Sequence, residues 1–293
     1  MGTDFVALAT TTVHMRSLVL GDSLSFHGPR TAHPADEPRL WPHVAAAALG
    51  GTADLHAGLG WTARHAWSAV RTDPRVWASV RHTDVLVLGV GGMDSLPSPL
   101  PTAVRELIPV LRPASVRARV REAYRAGHAR ATTAGARWAG GWPTALPASE
   151  TVRYLELCRV AVTALRPDAP VVLLLPAVHR SAFYGGVHRR RSGHVAALRA
   201  WAGEHGVVTV DSAALVGEHV LTGRGNADGL HWGWEAHRAV GEAVAEAVRA
   251  VGGAPSGGQR SSRSEQGVVP TGTGAPGGPQ APDVDSEEST ARP

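Results

Sequence analysis

Lysine is missing from this 293-residue chain, so all 29 of its basic side chains are arginine. Set against 25 acidic residues they leave a net charge of +4, spread along the chain, which excludes the dense basic footprint a nucleic-acid partner requires. Cysteine is nearly absent too: Cys158 stands alone, so no disulfide can form within the chain, and a reducing, cytoplasmic setting is expected. Its place in the helical-looking "SETVRYLELCRVAV" reads as a buried structural thiol. The histidines lack companions at metal-ligand spacing, so neither a metal nor a cofactor is expected. No apolar run reaches the roughly 18 residues a bilayer demands, so no stable membrane insertion is expected. Nor does the N-terminus carry a basic stretch before its weak apolar run, and Asp4 stands there instead; a secretory signal is not expected, and Met15 is an alternative start.

What is present is patterned. Four short runs rich in Val and Leu end at Gly, Pro or Asp: "SLVLG" from Ser17, "DVLVLGVGG" from Asp84, "APVVLLLP" from Ala169 and "GVVTVDS" from Gly206. Such continuous runs mark strands buried on both faces of a parallel sheet, and "TADLHAG" from Thr52 is a weaker fifth. Between them lie helical periods in "DEPRLWPHVAAAALG", "SPLPTAVRELIPVL" and a last helix from about Gly233 to Val251, where Val240, Val244, Val248 and Val251 form one stripe. The alternation predicts one α/β domain over 16–251, a three-layer α/β/α fold with a parallel sheet of about five strands. Residues 1–15 read as an extension, and the Gly/Pro/Ser-rich 252–293 as a disordered tail.

In open α/β sheets ligands bind beyond the carboxyl ends of the strands. The first such edge carries Gly21-Asp22-Ser23-Leu24, the second Gly58, Gly60 and Trp61, and the third Gly91-Gly92-Met93-Asp94. "DGLH", with Asp228 and His231, precedes the last helix. A serine hydroxyl needs an imidazole to take its proton, and a carboxylate to hold that imidazole in one tautomer. Two residues between Asp228 and His231, on a turn entering a helix, let the carboxylate reach the ring. Taken singly, each piece also has a plain reading: Asp228 as a helix cap, His231 as one of 15 histidines, Ser23 as a turn residue.

Order and joint placement decide between these readings. Gly-Asp-Ser-Leu on the first strand edge and Asp-x-x-His before the last helix together resemble the GDSL, or SGNH, hydrolase family. The resemblance implies a flavodoxin-like sheet, with Ser23 as nucleophile, His231 as general base and Asp228 as its orienter. It also implies an oxyanion hole from the backbone N–H groups of Ser23 and Gly60, Gly58 being the lesser choice. The family's third donor is an Asn, and here the matching block places Met93. A thioether is no N–H donor, and one lost oxyanion donor typically costs about 2.7 to 4 kcal/mol. Asn226, the chain's single asparagine, is the alternative third donor.

Longer stretches, among them "PADEPRLWPHVAA", "GWTARHAWSAVRTDPRVWASV" and "GGMDSLPSPLPTAVRELI", resemble an actinobacterial acyltransferase branch of that family. They imply octanoyl-CoA as acyl donor and a diglucosylglycerate, a glucosylglycerate-type small molecule, as acceptor. Substrate contacts are expected from Trp61, Met93, Asp94, His179, Arg180 and Tyr184, with Arg189 to Arg191 as further basic groups; core packing is the other reading of Trp61, and a solvated basic loop that of the stretch from His179 to Arg191. Asp94 has a second reading, ordering its own loop. Arg117, Arg121 and Arg125 read as a solvated helix face. Two alternatives stand beside the transferase: an esterase or thioesterase with the same residues, and, because of Met93, an inactive carbohydrate- or lipid-binding module.

Overall fold

The computed structural model describes residues 14–100, 107–135 and 142–252. The expected tail, apart from Gly252, and the expected extension, apart from its last two residues, lie outside the described residues, as does "PTAVRE" of the expected helical stretch.

Five strands form one parallel sheet: β1 (Arg16–Gly21), β2 (Thr52–Ala57), β3 (Val85–Gly89), β4 (Val171–Leu175) and β5 (Val208–Asp211). Their order is β2-β1-β3-β4-β5, with Gly21 paired to Ala57 on one side and to Gly89 on the other. This is the flavodoxin-like arrangement, whose switch point lies between β1 and β3. The chain leaves β1 for one side of the sheet and returns as β3 on the other, so a crevice opens where Ser23 and Met93 follow their strands.

Alternation along the strands sorts the core. Leu18, Leu20, Leu86, Leu88, Leu173 and Leu175 face α2 (Ala63–Thr72), α3 (Pro74–Val80), α5 (Ala148–Thr163) and α6 (Arg191–Glu204). Their neighbours Val19, Val85, Val87, Val172, Leu174 and Val210 face α1 (Trp41–Ala48), α7 (Ser212–Leu221) and α8 (Trp234–Gly252). The expected stripe seats α8: Val240, Val244 and Val248 are buried, and full burial of each contributes about 1.5 to 3 kcal/mol. Cys158 is buried in the opposite layer, where burial pushes its thiol up to about 12 and leaves it unreactive.

One helical segment is shorter than its pattern. In "DEPRLWPHVAAAALG" the helix begins only at Trp41, with Pro42 in its first turn, because Pro38 disfavours helical backbone before it while a proline at a helix start is tolerated. Remaining to place is α4 (Ala114–Gly135), which buries only His128, Thr132 and Gly135. His128 stacks on Phe183 at 4.1 Å, and Thr132 Oγ1 donates to the Phe183 carbonyl. Arg121 and Arg125 are exposed on it.

Candidate active site

Ser23 opens a single 3-10 turn at the end of β1, capped by Asp22, whose Oδ1 accepts from Leu24 N–H at 2.9 Å. Burial lifts Asp22 to about 7 against that hydrogen bond, since an ionised carboxylate there has lost its water. The serine is 2% exposed and donates from Oγ to His231 Nε2 at 2.9 Å. His231 Nδ1–H in turn donates to Asp228 Oδ2 at 2.6 Å. Residues 208 positions apart in sequence therefore form one unbroken line of hydrogen bonds.

The turn bearing Asp228 is built from short-range bonds. Asp228 Oδ1 accepts from the N–H groups of Leu230 and His231, and Asn226 Oδ1 accepts from Asp228 N–H. Burial alone would raise the Asp228 carboxyl, but the His231 side chain and these two N–H groups outweigh it and hold Asp228 well below the usual carboxylate range. It thus stays ionised and keeps His231 in the tautomer that presents a lone pair to Ser23. Asn226 supports the turn through its Oδ1.

At the second strand edge Gly60 adopts φ +68, the left-handed region where a side chain is disfavoured. Neither its N–H nor that of Ser23 is spent on another partner among the described residues. Trp61 folds back so that a Cβ on Gly58 would run into its indole, and it lines an open groove of about 480 Å³ with His56, His65 and Arg75. Met93 approaches Gly60, its methyl 4.0 Å from where a Cβ on that glycine would stand. It packs with Leu96, Tyr184, Phe183 and Leu230 in a small apolar cluster apart from the two main cores. A thioether, not an amide, thus stands beside Gly60.

Asp94 is fully buried and accepts from Ala63 N–H at the start of α2 and from Thr151 Oγ of α5. It thereby ties the loop after β3 to α2 and α5. His179 is buried, accepts from Ser181 N–H, and is pushed down to about 4 by burial, so it is a neutral organiser of the segment after β4. Arg180 spans toward the Asp228 turn: its N–H donates to the Gly229 carbonyl, and its guanidinium lies against Gly223. Arg189 and Arg190 line a separate groove of about 670 Å³ with Pro143, Thr144 and His194. Among the described residues no group of His, Cys, Asp and Glu is placed to hold a metal, and no helix is long and apolar enough to cross a membrane.

Two neighbours of the line were not singled out from the sequence. His27, four residues after Ser23, stacks on His231 with ring centroids 3.8 Å apart. His237, buried in α8, donates from Nε2 to the His27 carbonyl at 3.1 Å. The signal for His27 was its spacing: its N–H bonds the Ser23 carbonyl at 2.8 Å, so one turn carries both side chains.

Sheet order, strand-edge serine and the Asp-x-x-His turn together give the arrangement that the resemblance to GDSL, or SGNH, hydrolases implies. A solved GDSL-like lipase from Parabacteroides merdae shares this fold, with a TM-score of 0.53 at 14% identity, over 80% of this chain and 95% of that one. No family model matches the chain. Two curated relatives are much nearer in sequence, both diglucosylglycerate octanoyltransferases. The one from Mycolicibacterium hassiacum is 45% identical over 80% of this chain and 95% of its own length. That from Mycobacterium tuberculosis is 42% identical over 80% and 92%. The chain belongs to the diglucosylglycerate octanoyltransferase family.

Proposed function

We propose that this enzyme moves an octanoyl group from octanoyl-CoA, through an ester on Ser23, to a glucose hydroxyl of diglucosylglycerate. The observation that carries the reading is the unbroken Ser23–His231–Asp228 line in a chain 45% identical to such a transferase. Ser23 Oγ gives its proton to His231 Nε2 and attacks the thioester carbonyl. The N–H groups of Ser23 and Gly60 receive the oxyanion. Collapse breaks the C–S bond, and the departing CoA sulfur takes the proton from His231. The sugar hydroxyl then gives its proton to His231 and attacks the octanoyl ester, and Ser23 leaves with that proton restored. Throughout, ionised Asp228 holds Nδ1–H and balances the transient imidazolium.

Met93 suits this donor, because a thioester carbonyl is attacked more readily than an ordinary ester and tolerates a hole with two donors. The groove of Arg189 and Arg190 suits the CoA phosphates by charge. The cluster of Met93, Leu96, Tyr184 and Leu230 suits an eight-carbon chain. A cytoplasmic location fits an enzyme using CoA and carrying a lone, buried cysteine. The test is product analysis with octanoyl-CoA, with and without diglucosylglycerate. Octanoylated acceptor is expected, together with an octanoyl adduct on Ser23 that Ser23→Ala lacks. Rapid release of octanoate, indifferent to the acceptor, would instead make the protein a thioesterase.

A further inference from the structure

The ring of His27 lies face to face with that of His231, 3.8 Å between centroids and 19° from parallel. Three hydrogen bonds fix it there. Its N–H bonds the Ser23 carbonyl, so the nucleophile's own turn delivers it. Its Nδ1 lies 2.9 Å from the Gly28 carbonyl, an acceptor only, so this nitrogen carries the proton. Its carbonyl accepts from His237, whose other nitrogen accepts from Trp41 N–H at 3.2 Å, which sets the His237 tautomer. The arm closes on itself through Gly28 N–H to the Thr31 carbonyl and His33 N–H to the Phe26 carbonyl.

We infer that His27 is a positioning residue: its ring walls one face of His231 and holds that imidazole in the plane between Ser23 and Asp228. Two hydrogen bonds along an edge leave an imidazole free to tilt about the line that joins them. A flat, anchored ring on one face removes that freedom, and a small tilt is costly to a transfer that needs Nε2 aimed at Oγ. Imidazolium formed during the reaction also rests on a neutral π face, which is favourable only while His27 is uncharged. Its surroundings keep it so: burial first, and then His231, hold His27 below the usual imidazole range. The titratable groups around it are His231 and Asp228 from the catalytic turn, His33 from its own arm with Glu37 at 3.7 Å, and neutral His237 from α8.

The inference rests on the reading of Ser23 and His231 as nucleophile and base, and its test uses the full chain without octanoyl-CoA. The readouts are the labelling rate of Ser23 by a fluorophosphonate, kcat and KM on p-nitrophenyl octanoate, and the downfield proton resonance of His231 Nδ1–H. His27→Ala is expected to lose about tenfold in labelling rate and kcat, with KM changed less than about twofold and the resonance broadened by exchange. His27→Phe keeps the flat face and is expected to recover most of the rate and the resonance. His27→Gln, polar but not aromatic, should behave as His27→Ala and serves in its place if that variant does not fold. Unchanged kcat and resonance in His27→Ala or His27→Gln overturns the inference, as does a His27→Phe enzyme no faster than they are. A wild-type enzyme that labels at Ser23 yet transfers no octanoate overturns the donor and acceptor reading alone; one that does not label removes both.

Discussion

The loop carrying Asp228 and His231 and the loop carrying Met93 both border Ser23, but they are held by different means. In the first, Asp228 bonds Leu230 and His231, two and three residues on, and Asn226 closes the turn beneath it. In the second, Asp94 reaches Ala63 and Thr151, 31 and 57 residues away, and Ser95 Oγ meets His188 at a separation of 93. One loop encodes its shape in its own few residues; the other borrows its shape from three separate elements. The pairing of Asp228 with His231 therefore belongs to a short motif, while the placing of Met93 beside Gly60 belongs to the whole fold.

Breaking the local loop should have the larger effect. Asp228→Asn leaves the turn's size intact but removes the charge that sets the His231 tautomer, and a loss of about 10³- to 10⁴-fold in kcat is expected. Because Asp228 titrates well below the usual range, it remains ionised through neutral and mildly acidic pH. The loss should therefore be seen across the pH profile rather than as a displaced acid limb. A variant that regains wild-type kcat at any pH would show that the carboxylate is not the orienter.

The remote loop is probed by Met93→Asn, which sets an amide beside Gly60. Hydrolysis of p-nitrophenyl octanoate should rise, by up to about 10²-fold if a third donor forms, with a smaller gain on octanoyl-CoA. An unchanged ratio of ester to thioester rates would mean that donor number does not set how the site ranks the two. Behind the serine, Asp22 holds its proton to about pH 7 in the folded protein but only to about 3.8 when unfolded. That preference favours the fold fully below pH 4 and is lost as pH rises toward 7. Wild-type Tm should accordingly decline from pH 5 to pH 8, and Asp22→Asn, neutral throughout, should shrink the decline; an equal slope in both proteins would count against a protonated Asp22. The smallest effect is expected at the exposed face of α4. Arg121→Ala with Arg125→Ala should change stability by less than about 0.5 kcal/mol and leave KM for octanoyl-CoA unaltered, and a raised KM would turn that face into part of the donor site.

The same contrast explains what could be read in advance. The strand runs, the α8 stripe and the Asp-x-x-His spacing are statements about neighbours in sequence, and the structure has five strands on those runs, a buried valine row on α8 and Asp228 bonded to His231. The start of α1 at Trp41 was hidden because its amphipathic pattern continues upstream through prolines that end the helix. Asp94 and His179 looked like polar groups available to a substrate. They are buried because α2, α5 and the segment after β4 close over them, which nothing within their own segments announces. His237 lies on a helix whose sequence pattern is set by its valines, and its bond to the His27 carbonyl, which ties α8 to the Ser23 turn, is a long-range contact.

From the order of its residues alone, this protein determined a parallel α/β sheet, a serine presented at the first strand edge and a carboxylate that seizes a histidine three residues later. These follow from side-chain periodicity and turn geometry, which act over a few bonds. Only the tertiary structure decided that His231 meets Ser23 at 2.9 Å, that Met93 leans toward Gly60 and that His27 lies on the face of the His231 ring. Each joins segments brought together by burial of the sheet, and burial, unlike a turn, is a property of the whole chain at once.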